Sequence, residues 1–75
     1  MNLRELPIGR IARIKSIKGD INFKNRLNDL GIFVGRNVQV LRVAPLFDPL
    51  EIKIKCIRVA IRKKDAQFIE VIPYD

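Results

Sequence analysis

Histidine and tryptophan are absent, and cysteine, methionine and tyrosine occur once each. Cys56 alone cannot form a disulfide within the chain, and without histidine the common Cys/His zinc layouts are excluded. There is no imidazole base and no serine set beside a general base. Gly31 and Gly35 are spaced like fragments of a phosphate loop, but no Lys-Ser or Lys-Thr follows them. The chain therefore reads as a non-enzyme that needs no cofactor. Long hydrophobic runs are missing too. The longest, Val43 to Phe47, is far short of the ~20 residues that cross a bilayer. Arg4, Glu5, Arg10, Arg13 and Lys15 interrupt anything that could serve as a signal peptide. Together with the lone thiol, this predicts a soluble cytoplasmic protein.

What is plentiful is positive charge and aliphatic side chains. Fifteen Lys and Arg against eight Asp and Glu give a net charge of +7, enough to draw so small a body toward nucleic acid, anionic lipid or an acidic protein face. The 75 residues predict one domain, residues 1–75, with a marginal stability of roughly 4 to 11 kcal/mol. Its core is expected to be Ile, Leu, Val and Phe. The charge is spread along the chain, with one dense basic run at Arg62-Lys63-Lys64.

Hydrophobic periodicity predicts five short strands and one helix. Ala12, Ile14 and Ser16 alternate with Arg13 and Lys15 in a first strand over 10–17, and Ile17 breaks that alternation, a sign of a bulge or of a strand end just before the turn signal Gly19-Asp20. Phe23, Leu27 and Leu30 recur at i, i+4 and i+7 on one face of a short helix capped by Asp20 or Asn22 and closed by Gly31. Val38 to Val43 carries apolar residues at both parities and predicts a strand covered on both faces. Pro45 and Pro49 confine the connector to a third strand over 50–56, followed by a turn near Cys56-Ile57 and a fourth strand over 58–62. Residues 63–68 suit a single helical turn, and 69–72 a fifth strand. Strands so short and so spaced predict a mainly β fold, a small SH3-like antiparallel barrel with one short helix after the first strand.

A set of landmarks in one order marks a known family. Leu6-Pro7-Ile8-Gly9 precedes the first strand, and Arg26-Leu27, Leu30-Gly31 and Gly35 surround the helix exit. Ala44-Pro45-Leu46 and Asp48-Pro49 form the connector, and Ala60-Ile61-Arg62-Lys63 with Ala66 lies near the end. On these residues the chain resembles the ferrous-iron transport protein A (FeoA) family over nearly its whole length. The resemblance implies an SH3-like domain without enzymatic activity that works beside the permease FeoB in Fe(II) uptake, through FeoB's cytoplasmic part. Many relatives have proline where this chain has Val34, and glycine where it has Cys56.

Two surfaces are candidates for contact with a partner. The first is apolar: Ile32, Phe33 and Val34 at the helix exit with Pro45, Leu46 and Phe47 in the connector, expected to meet FeoB or a second copy of the chain unless these side chains fold into the core. The second is a basic face of Arg13, Lys15, Lys53 and Lys55, which reads either as solvated exterior or as a docking face for an acidic partner or the inner membrane surface. Metal binding has weak support. Asp29, Asp48, Glu51 and Cys56 are the available ligands, and Asp48 and Glu51 form at best a weak, open site, so no metal residue is assigned. Two alternatives remain. One is a nucleic-acid-binding SH3-like barrel, favoured by charge but short of an aromatic stacking platform, so that no nucleic acid is expected. The other is a metalloregulator-type C-terminal domain, against which stand Met1 and the absence of a helix-turn-helix. If Phe47 anchors the apolar surface, Phe47→Asp in a folded protein will weaken FeoB binding in a titration; unchanged affinity removes Phe47 from the interface.

Overall fold

Strand β1 (Ile11–Ile17) buries Ala12 and Ile14 and then half-buries Ile17, so the inward spacing is two residues followed by three. The extra residue is Lys15: β1 pairs Ile14 with Val71 and Ser16 with Glu70 of the last strand, leaving Lys15 unmatched in a bulge. Strand β2 (Asn37–Val43) repeats the device. Val38 and Val40 are buried, Leu41 is unmatched between the pairs Val40–Ile52 and Arg42–Glu51, and Val43 pairs with the buried Leu50. The two parities of β2 thus come from a bulge that shifts the inward row by one residue. The expectation of a strand covered on both faces is corrected, since Arg42 is exposed.

The structure, a computed structural model, describes residues 1–44, 46 and 48–74. Strand β3 (Leu50–Ile54) and strand β4 (Ile57–Ile61) continue the meander, and strand β5 (Ile69–Pro73) returns beside β1, giving an antiparallel sheet in the order β4-β3-β2-β1-β5. The β3–β4 turn is Lys55-Cys56, one residue earlier than expected, and its left-handed residue is Lys55 (φ 54°) rather than Cys56. Helix α2 (Lys63–Ala66) joins the two outermost strands and buries Ala66. The sheet curls around one cluster that includes Ile14, Ile32, Ile52, Ile54 and Ile69, all with no exposed surface. A 3₁₀ turn over Leu3–Glu5, closed by reciprocal Asn2 and Glu5 hydrogen bonds, adds Leu3 to this core. The mainly β, SH3-like architecture expected from the spacing is the one observed.

Helix α1 (Ile21–Asp29) starts at Asp20, whose carboxylate accepts from the Phe23 N–H at 2.8 Å. It ends in a complete Schellman motif. The Ile32 N–H donates to the Leu27 carbonyl at 3.0 Å and the Gly31 N–H to the Asn28 carbonyl at 2.9 Å, with Gly31 at φ +89°. Leu27 is buried and Phe23 half-buried against the Phe68 ring, 5.8 Å away edge-on, but Leu30 is exposed. Leu30 is the C-cap, where the helical face ends, and Ile32 replaces it in the core. At Gly31 a side chain meets both a left-handed backbone and the Arg36 Nη1, 3.4 Å from an ideal Cβ. Gly31→Val is expected to cost about 1 to 3 kcal/mol in denaturant unfolding, with Gly31→Asn less costly; an unchanged unfolding midpoint for the valine variant would contradict the motif.

Candidate functional site

The helix exit turns outward over Phe33-Val34-Gly35-Arg36. The Arg36 N–H donates to the Phe33 carbonyl at 3.2 Å, Gly35 sits at φ +92°, and the Gly35 N–H donates to the Ile14 carbonyl at 2.8 Å. A turn of this kind needs a positive φ at its third residue, which glycine supplies. The Arg36 guanidinium stacks 4.5 Å from the Phe33 ring centroid and gives a 2.9 Å hydrogen bond to the Gly31 carbonyl, locking turn to helix end. Val34 is exposed, and Phe33 and Val34 line a groove of about 390 Å³ with Ile17, Lys24 and Asn28.

Ile32 does not belong to this surface. It is fully buried, because the sixth residue of a Schellman motif is folded back over the helix it terminates, and the expectation of Ile32 as a partner contact is corrected. The apolar surface is also divided. Leu46 stands almost free of the protein, 93% exposed, but it follows the far end of β2 from the helix exit. Seven residues of strand separate the two ends by about 20 Å. Pro45 and Phe47 lie outside the described residues. The rest of the connector is structural: Asp48 accepts from the Lys63 N–H at 3.1 Å, at the start of α2, and the Pro49 carbonyl accepts from Ala44 at 3.0 Å.

Arg13, Lys15, Lys53 and Lys55 are all exposed. Across the outer face of the sheet Ile11 lies opposite Gln39, Gln39 opposite Lys53 and Lys53 opposite Arg58, while Arg13 lies opposite Asn37 on one side and Ile72 on the other. A groove of about 220 Å³ runs here, lined by Ile11, Asn37, Val38, Gln39, Lys53 and Lys55. The Tyr74 hydroxyl donates to Asn37 Oδ1 at 2.8 Å at one end. Glu51, which interrupts the basic run in sequence, is shared by two cations, Arg42 at 3.3 Å and Arg58 at 3.6 Å, so among the described residues one arginine charge remains uncompensated. Sequence reasoning missed Arg58, Ile11 and Ile72 on this face. The parity that placed Arg13 outward already placed Ile11 outward, whereas Arg58 and Ile72 depended on the register.

Among the described residues no three Cys, Asp or Glu gather closely enough to hold a metal ion. Asp48 and Glu51 are turned to α2 and to the arginines. Among the same residues no helix is long and apolar enough to cross a membrane.

A family model, the FeoA domain, matches residues 1–73. The chain belongs to the FeoA domain family. It is 37% identical over 71 residues to a Fe(2+) transport protein A/Fe(2+) transporter FeoB fusion protein of Porphyromonas gingivalis, covering 95% of this chain but only 8% of the fusion. Its fold superposes on the FeoA protein of Chlorobium tepidum with a TM-score of 0.87 at 37% identity, over 95% of this chain and 68% of that one. The zinc-complexed FeoA of Stenotrophomonas maltophilia, described as a procaryotic SH3 domain protein, gives 0.80 at 28% identity, over 95% and 88% of the two chains. A manganese-dependent transcriptional repressor shares the fold alone, at 19% identity and a TM-score of 0.88, over 99% of this chain and 41% of that one.

Several of the residues that carry the FeoA resemblance have structural duties: Gly31 and Gly35 hold the helix exit, Asp48 and Pro49 the connector, and Ala66 a place in the core. Val34 occupies the second position of the exit turn, where proline is favoured, and among the described residues no hydrogen bond from its N–H is present. Val34→Pro is therefore expected to raise the thermal midpoint, by the equivalent of about 0.4 to 1 kcal/mol; a lowered midpoint would contradict the turn geometry.

Proposed function

We propose that this FeoA domain is a non-enzymatic accessory of ferrous iron uptake that acts in the cytoplasm by binding the cytoplasmic part of the permease FeoB. The observation that carries this reading is the Porphyromonas gingivalis relative, in which a homologous domain is covalently joined to an Fe(2+) transporter. A fusion holds two modules at high effective concentration and is useful when they act on one another. The surface chemistry agrees with a docking role. A net charge of +7 and the exposed Arg13, Lys15, Lys53 and Lys55 favour an acidic partner face, and the groove at Phe33 and Val34 offers apolar contact.

Titrating this protein with the purified cytoplasmic region of FeoB tests the reading. Binding is expected to be insensitive to nuclease, to weaken between about 0.05 and 0.5 M salt, and to fall about tenfold in Lys53→Glu/Lys55→Glu. No binding by FeoB, or recovery only of nuclease-sensitive RNA complexes, overturns it.

A further inference from the structure

Among the described residues the sheet is covered along one edge and open along the other. Along the outer side of β5 the Val71 N–H donates to the Met1 carbonyl at 2.9 Å and Asn2 bridges Glu70. β4 pairs with β3 on one side and, among the described residues, with nothing on the other. The register fixes which groups face the opening. Ile54 and Ile57 flank a two-residue turn and so form a hydrogen-bonded pair, and alternation makes Val59 and Ile61 the other residues of β4 that bond to β3. The amides and carbonyls of Arg58 and Ala60 point away from β3, and no hydrogen bond to them is present among the described residues.

Side chains along this edge separate by parity. Ile57 is 54% exposed and Val59 half-buried, on the side that faces the core. Arg58, the small Ala60 and Arg62 lie on the opposite side, with Lys53 across from Arg58. Glu51 offsets only one of the two arginines it touches. Cations on an edge strand oppose pairing with another copy. Here β4 against a second β4 would bring Arg58 and Arg62 of two bodies of charge +7 together. The same cations favour a strand of opposite charge.

We infer that the open edge of β4 takes an extended segment of a protein partner as a sixth strand, a segment in which apolar and acidic side chains alternate. Its backbone pairs with Arg58 and Ala60, its apolar side chains cover Ile57 and Val59, and its carboxylates meet Arg58 and Arg62. The inference rests on the protein-docking reading above and adds where the partner sits and what its segment is made of.

Amide hydrogen exchange followed by NMR on the labelled full chain tests it, with two probes: the cytoplasmic region of FeoB, and a synthetic peptide of about eight alternating Val and Glu residues. The expected result is that the Arg58 and Ala60 amides, fast in the free protein, slow at least about tenfold with either probe. Ala60→Pro removes an outward amide and no β3 bond, and is expected to weaken binding of both. Arg58→Glu/Arg62→Glu, at two exposed positions, is expected to transfer preference to a Val/Lys peptide. FeoB binding while both amides stay fast overturns this inference and leaves the docking reading standing. Peptide protection without FeoB binding supports the edge and overturns FeoB as the partner. Protection by neither probe, or protection that grows with protein concentration alone and marks a second copy, overturns the inference.

Discussion

A sheet of five short strands in so small a chain must curl around its own side chains, because little else is available to cover its inner face. The bulges at Lys15 and Leu41 supply the bend. Each inserts one residue, tightens the local twist and moves the inward row by one place, so that Ala12, Ile14 and Ile17 in β1, and Val38, Val40 and Val43 in β2, keep facing the core around the curve. With both bulged strands central in the sheet, the outer strands follow their curvature. The helix exit, the connector and the basic face all take their positions from that bend.

Much of this was legible because it is local. The break in alternation at Ile17 announces a bulge or a strand end, and Gly31 after an i, i+4 apolar pattern announces a helix stop. Parity alone placed Arg13 and Lys53 outward, whereas Lys15 lies in a bulge and Lys55 in a turn. Residues separated by a strand were harder: Val34 and Leu46 are twelve positions apart in a chain that reads as compact, yet β2 holds them at opposite ends of its length. Ile32 was misread because, in sequence, it sits beside Phe33 and Val34 after a glycine, and only the pair of hydrogen bonds closing the helix turns it inward. The open side of β4 could not be read at all, since an edge is a property of strand order, which no local pattern encodes.

Taken together, the molecule has its rigidity inside and its chemistry confined to charge and shape outside. The backbone devices that carry the FeoA resemblance hold the sheet in shape, and the exposed side chains around them are Phe33 and Val34 at one end and lysines and arginines across β1, β3 and β4. That division suits a module whose role is to be held against something larger.

The chain has a single thiol, and the fold sets it in the Lys55-Cys56 turn, exposed, one residue before β4 begins. A fluorophore or spin label attached to the unaltered protein therefore lands at one defined point, at the tip of the hairpin and outside the strand pairing. The molecule carries its own vantage point on its open edge.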